Sequence, residues 1–147
     1  VTASTEEKRA ACLALGADHA WPYEAVREGV RDWTSKRGVD IVLDHVGTAT
    51  WNSSVRALRR GGSLVCCGAT TGHQANLDLR ILFFKQLNIL GATMGSMTEM
   101  REAWKAASQR AIVPVVDQLV PMSNVAEAHA LLEDRSVFGK VVLIQDL

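Results

Sequence analysis

Apolar positions along the chain follow two rhythms in turn, one of period two or unbroken and one of helical spacing, with glycine, proline and small hydroxyl residues at the changeovers. Val39-Asp40-Ile41-Val42-Leu43-Asp44 is β-branched and almost wholly apolar, the pattern of an inner strand covered on both faces of a parallel sheet. Ser63 to Cys67 and Asn88 to Thr93 read as two further buried strands, and the first residues read as the last piece of another. Between them the helical spacing recurs at Val26, Val30 and Trp33, at Trp51, Val55 and Leu58, over Leu79 to Gln86, and at Met100, Ala103, Trp104 and Ala107.

Local signals set the boundaries. Ser4-Thr5-Glu6-Glu7 and Ser96-Met97-Thr98-Glu99 have capping-box spacing and open two of the helices. Gly16 closes the first helix, Asp18 to Tyr23 is a short extended piece, Lys36-Arg37-Gly38 ends the second helix, and Gly61-Gly62 turns the chain into a strand. Strand and helix keep alternating, which is the grammar of a doubly wound α/β sheet with right-handed crossovers. From about Pro114 the order changes: Val115 to Val120 is extended, Ser123 is placed to cap a helix bearing Ala128, Leu131 and Leu132, and Gly139 to Ile144 is a closing strand. No repeat or low-complexity tract divides the chain.

Length and charge narrow the function. With 147 residues, 48% of them hydrophobic, the chain has the size of one ordinary domain. Sixteen basic residues balance sixteen acidic ones, so no summed field favours nucleic acid or an anionic membrane. No apolar run approaches a spanning helix and no signal pattern opens the chain, so a cytoplasmic location is expected. Cys12, Cys66 and Cys67 form no CxxC pair, which fits reduced thiols and leaves no zinc site within this chain. The first residue is Val1, and its strand-like start leads to the expectation that a preceding segment has been removed or left out.

Several short segments in order carry a resemblance: Thr2-Ala3-Ser4 with Glu6-Glu7-Lys8, Leu15-Gly16-Ala17-Asp18-His19, Gly38-Val39-Asp40, Asp44-His45-Val46-Gly47, Cys67-Gly68-Ala69-Thr70-Thr71-Gly72 and Gly139-Lys140-Val141-Val142-Leu143. Together they resemble the medium-chain dehydrogenase/reductase superfamily, nearest its zinc-containing alcohol dehydrogenase and quinone oxidoreductase branches. The resemblance implies a partial Rossmann fold of strand order 3-2-1-4-5-6, of which this chain supplies the end of strand 2 and strands 3 to 6 but not the first βα unit. It assigns residues 1–112 to the dinucleotide-binding domain and residues 113–147 to a segment returning to a GroES-like catalytic domain. The glycine-rich turn, the zinc ligands and the substrate-positioning residues of the family are not among these residues, so zinc stays open for a longer protein and no catalytic residue is assigned. Without strand 1 the sheet should be cut, and the exposed edge must be hidden, solvated or re-paired, either by a strand from another copy or by displacement of the first segment.

Candidate binding residues follow the carboxyl ends of the strands, where open α/β sheets hold ligands. At the end of strand 2, Ala3-Ser4-Thr5 offers no carboxylate for a ribose, and Lys8 with Arg9 follows, so NADP(H) is favoured over NAD(H), with Ser4 and Lys8 as the discriminating pair. The same missing carboxylate argues against a doubly wound methyltransferase. Val46 and Gly47 border the adenosine side, and Gly68, Ala69 and Thr70 line the nicotinamide ribose. The resemblance adds Tyr23 and Arg135 beside the phosphate-bearing ribose and Met94 with Gly95 near the nicotinamide. His45 is read as structural, Cys66 and Cys67 as packing residues, and Trp33, Trp51 and Trp104 as helix-core residues. The expected partners are a nicotinamide dinucleotide, a small alcohol, carbonyl or quinone substrate, and a second copy in a homo-oligomer. The competing expectation is a non-catalytic module that self-associates through open sheet edges.

Overall fold

The computed structural model describes residues 1–146 and resolves into two compact units, Val1–Met94 and a second that begins at Gly95. In the first unit, helix α1 (Glu6–Ala14) is capped by Thr5, whose hydroxyl accepts the Lys8 N–H at 3.2 Å. The cap therefore lies one residue beyond Ser4, whose carbonyl is instead engaged by the Arg9 guanidinium at 3.3 Å. Ahead of α1, Thr2 forms an isolated parallel bridge with Trp21, through Ala3 N–H to Trp21 O at 3.1 Å and Trp21 N–H to Val1 O at 3.0 Å. Trp21 stacks on His19 with centroids 5.3 Å apart, and the Trp33 ring tilts against both, so Trp33 joins an aromatic cluster while staying 50% exposed.

Helix α2 (Val26–Trp33) leads to strand β1 (Val39–Asp44), helix α3 (Trp51–Ala57), strand β2 (Leu58–Cys66), helix α4 (Leu79–Lys85) and strand β3 (Asn88–Gly91). The three strands form one parallel sheet in the order β1-β2-β3. The sheet is an α/β layer with crossover helices, a partial Rossmann-like fold. Pairing in register sets Val42 beside Leu64 and Leu64 beside Ile89, so alternate residues share a face. On that face Leu58 and Leu64, 1% and 0% exposed, join Val55 and Leu87 in the core, with Val39, Val42, Trp51, Ile81 and Leu82 around them.

The opposite face departs from the sequence reading. Ile41 and Leu43 are 63% and 72% exposed, and Leu90 is 51% exposed, so β1 is an edge strand covered on one face only. An unbroken apolar run cannot distinguish a strand buried on both sides from one whose second cover is absent. The expected cut in the sheet is present: Thr2 bridges Trp21, and β1 pairs with β2 alone.

Leu58, placed by its spacing on a helix, is the first residue of β2, and Gly61-Gly62 lies within that strand where the register slips between the Val39 and Ile41 pairings. The helix stops because Leu58 turns extended, at φ −67° and ψ 141°, and so enters the core. Two guanidiniums, from Arg37 and Arg59, meet on Asp40 beside this irregularity. They hold the Asp40 carboxyl down at about 2 through their hydrogen bonds. Strand β3 ends before Thr93, although the Ala92 N–H still reaches Cys66 O at 2.9 Å.

In the second unit, helix α5 (Met97–Ser108) carries the expected capping box, with the Ser96 N–H donating to Glu99 Oε2 at 2.6 Å and the Glu99 N–H to Ser96 Oγ at 3.3 Å. Its expected inner face is largely uncovered: Met100 and Trp104 are 57% and 72% exposed, Ala103 is exposed and Ala107 half-buried. Strands β4 (Val116–Pro121) and β5 (Lys140–Ile144) pair in parallel around helix α6 (Val125–Glu133). Asn124 occupies the cap position, while Ser123 falls in a preceding 3₁₀ turn with its N–H bonded to the Asp146 carboxylate at 2.9 Å.

One-sided burial gives opposite expectations for two neighbouring leucines. Leu64→Ala should cost about 2–5 kcal/mol by denaturant unfolding, whereas Leu43→Ala should stay within about 0.5 kcal/mol of the parent. Similar costs for both would contradict a single covered face.

Candidate functional site

All three strands of the first unit run the same way, so their carboxyl ends, Asp44, Cys66 and Gly91, meet along one rim. Asp44 organises it. The residue is 3% exposed, and its two carboxylate oxygens accept four hydrogen bonds. Oδ1 takes the Val46 and Gly47 N–H groups, both at 2.9 Å, and Oδ2 takes the Thr50 hydroxyl at 2.8 Å and the Ser54 hydroxyl at 2.6 Å. Burial pushes the carboxyl up, but the bonds from Ser54, Gly47, Thr50 and Val46 outweigh it and hold Asp44 below the ordinary carboxylate range.

The loop after β1 is stitched to the loop after β2. Thr71 donates its N–H and its hydroxyl to Val46 O, both at 2.8 Å, and Thr70 donates its hydroxyl to His45 O at 3.0 Å. In return the Thr48 N–H reaches Gly72 O at 3.2 Å, the Ala49 N–H reaches Thr71 Oγ1 at 3.1 Å, and the Thr48 hydroxyl reaches Gln74 O at 2.6 Å. The approach is close enough to require glycine at two points. Gly47 has φ +89°, and a Cβ there would lie 2.5 Å from Gly72 O; a Cβ on Gly68 would lie 2.8 Å from His45 O.

Val46, Gly47, Gly68, Ala69 and Thr70 are thus brought together in one pair of locked loops. Tyr23 and Val46 share a largely apolar groove of about 570 Å³ that runs from Thr2 and Trp21 along β1 to Asp44 and Thr50. Ser4 is exposed just beyond the Thr2 bridge, and Lys8 is half-buried on the first turn of α1. Met94, 92% exposed, ends the first unit, while Gly95 and Arg135 lie in the second, Arg135 at φ +54° after α6. His45 is exposed with only its backbone carbonyl used by Thr70, and Cys67 is exposed beside the Asp44 carbonyl at 3.9 Å.

Sequence reasoning missed the central residue. Asp44 stood in a recognised segment as a strand end, but its role as acceptor for Thr50 and Ser54 was not assigned. The usable signal was a lone carboxylate closing an apolar strand with two hydroxyls on the following helix. The bonds of Thr48 and Thr71 carry no sequence signal, because each reaches a loop far along the chain.

Residues 1–110 match the family model for zinc-binding dehydrogenases. The chain belongs to the zinc-binding dehydrogenase family. It lies in the medium-chain dehydrogenase/reductase superfamily. A curated relative, a probable quinone oxidoreductase from Schizosaccharomyces pombe, is 31% identical over 97% of this chain and 46% of its own length. Among solved structures, an NAD-dependent alcohol dehydrogenase is 38% identical with a TM-score of 0.85 over 97% of this chain and 42% of its own. A crotonyl-CoA carboxylase/reductase in complex with NADP is 25% identical with a TM-score of 0.88, also over 97% and 42%. The chain spans less than half the length of the curated relative named here. The family's printed name implies zinc, yet no three His, Cys, Asp or Glu residues converge as a metal site among the described residues. The described residues do not fit the metal. No helix of the described residues is long and apolar enough to cross a membrane.

Asp44→Asn keeps the shape but removes the charge that the four donors face, and should cost about 1–3 kcal/mol. Because the folded carboxyl lies below its ordinary value of 3.8, its contribution is full above that value and is lost as pH falls through the lower folded value. The stability gap between parent and Asp44→Asn should therefore be constant near neutrality and close on acidification below about pH 4. A gap that widens in acid would overturn the assignment.

Proposed function

We propose that this chain forms part of the cofactor-binding half of an oxidoreductase that moves hydride between NADP(H) and a small alcohol, carbonyl or quinone. The observation that carries the cofactor choice is at Ala3-Ser4-Thr5. No carboxylate stands there, and the Arg9 guanidinium folds over the same turn, bonded to Ala3 O at 3.2 Å and Ser4 O at 3.3 Å. A ribose diol calls for an acceptor at this place, whereas a 2′-phosphate calls for cations and small donors. Ser4 and Lys8, with Arg9, supply the latter.

In this reading Val46 and Gly47 border the adenosine side, Tyr23 flanks the phosphate-bearing ribose, and Gly68, Ala69 and Thr70 face the nicotinamide ribose. Met94 approaches the nicotinamide. The bound nicotinamide supplies the hydride, and the residues of this chain bind and orient it. Residues 1–112 form the dinucleotide-binding portion, residues 113–147 return towards a catalytic domain, and the protein works in the cytoplasm as a homo-oligomer. Support for a nicotinamide cofactor comes from the relatives' printed descriptions, which include one NAD-dependent enzyme and one bound to NADP.

The test uses fragments that bypass the missing glycine turn, since that turn holds the pyrophosphate and whole-cofactor binding by these residues alone should be weak. Titrating the 147-residue chain with 2′,5′-ADP should shift the Ser4, Lys8 and Tyr23 amide resonances, and 5′-ADP should shift them at least about tenfold less effectively. Equal responses would overturn the preference for a 2′-phosphate.

A second reading, a non-catalytic module that associates with itself, is favoured by one observation, the uncovered β1 edge with Ile41 and Leu43 exposed. Under it, Ile41→Lys with Leu43→Lys should convert an associating chain to a monomer in sedimentation velocity with unchanged circular dichroism. A parent that is already monomeric at high concentration would dismiss it.

A further inference from the structure

At the edge of the first sheet opposite the rim, where β1 and β2 begin, a cavity of about 330 Å³ opens between α2, α3 and the end of α4. Six cationic side chains line it, Arg27 and Arg31 from α2, Lys36 and Arg37 from the following turn, Arg56 from α3 and Lys85 from α4. No carboxylate does. The floor is apolar, built by Val30, Leu58 and Ile81.

This concentration of charge does not follow from composition, because the whole chain is formally neutral. Nor is it neutralised locally. Among the described residues only Arg37 of the six has a carboxylate partner, Asp40, which it shares with Arg59. Arg56 donates to the neutral Asn52 side chain at 2.8 Å. The Lys85 ammonium donates to Arg56 O at 3.1 Å and Leu58 O at 2.6 Å, which fixes its position and leaves its charge unpaired. Burial, then repulsion from Arg56 and Arg27, pushes its ammonium below the usual lysine range. Arg27 and Arg31 stand four residues apart on one helix with no ion pair, an arrangement that weakens an isolated helix.

A concave site with a fixed ammonium, several guanidiniums and no carboxylate in its lining has the chemistry for several phosphate oxygens at once. Its size is at the lower end of small-molecule sites, which suits a compact group rather than a polymer. We propose that this cavity binds a polyphosphate group, either free or as the triphosphate of a nucleotide whose base covers the apolar floor.

Calorimetric titration of the full 147-residue chain with sodium tripolyphosphate at low ionic strength should give saturable one-to-one binding. Arg27→Gln with Arg31→Gln removes two exposed cations that make no side-chain bond of their own, so the variant should fold as the parent does by circular dichroism. It should bind at least about tenfold more weakly. A control pair on α5, Arg101→Gln with Lys105→Gln, removes the same charge elsewhere and should bind within about twofold of the parent. ATP binding more tightly than tripolyphosphate supports the nucleotide source, and the reverse order supports the free ion. Absence of saturation, equal weakening by the control pair, or a polyglutamate peptide binding as tightly as tripolyphosphate would each overturn the proposal.

Discussion

The first unit depends on a buried carboxylate whose solvation shell is supplied entirely by its own neighbours. Asp44 closes β1, and the amides and hydroxyls it gathers fix how the chain leaves the sheet and enters α3. With that loop fixed, the carbonyls of His45 and Val46 are aimed outward, where Thr70 and Thr71 find them. A burial cost that would raise an isolated acid is thereby converted into a rigid rim, because each donor that solvates Asp44 also positions a stretch of backbone. Loops built this way are rigid without any further partner.

Elements with strong local signals were legible in the residues. The capping box of α5, the order of strands and helices, and the glycines at the rim all follow from spacing and backbone geometry that act over a few positions. Register was not legible. Leu58 satisfies a helical period and a strand start equally, and only its burial beneath α4 decides between them. The same limit explains Ser4 and Thr5, adjacent hydroxyls of which either can cap, and the exposed face of α5, whose apolar spacing says that the face seeks a partner without saying that one is present. The rim glycines were legible as a loop type, but the Thr71 and Thr48 bonds that hold them close were not, since each joins residues more than a strand and a helix apart.

Two layers of the molecule therefore differ in completeness. The covered face of the sheet has the packing expected of a small domain, with Leu64 wholly excluded from solvent. The other face, with Ile41, Leu43 and Leu90, and the groove between β1 and the Thr2 bridge carry the apolar surface of an interior without its cover. The groove between β1 and the Thr2 bridge falls where the resembled sheet, of strand order 3-2-1-4-5-6, places a strand. The cationic cavity at the far end has no such explanation in the fold.

Every pairing in both sheets is parallel, and that has a kinetic consequence. No two strands are joined by a hairpin, so none can zip from a tight turn; each contact waits for a helix to form and for a long loop to close. During that interval the apolar strand segments are bare and liable to coalesce between molecules. Asp40 near the head of one segment and Arg59-Arg60 at the head of the next put charge where such stacking would begin.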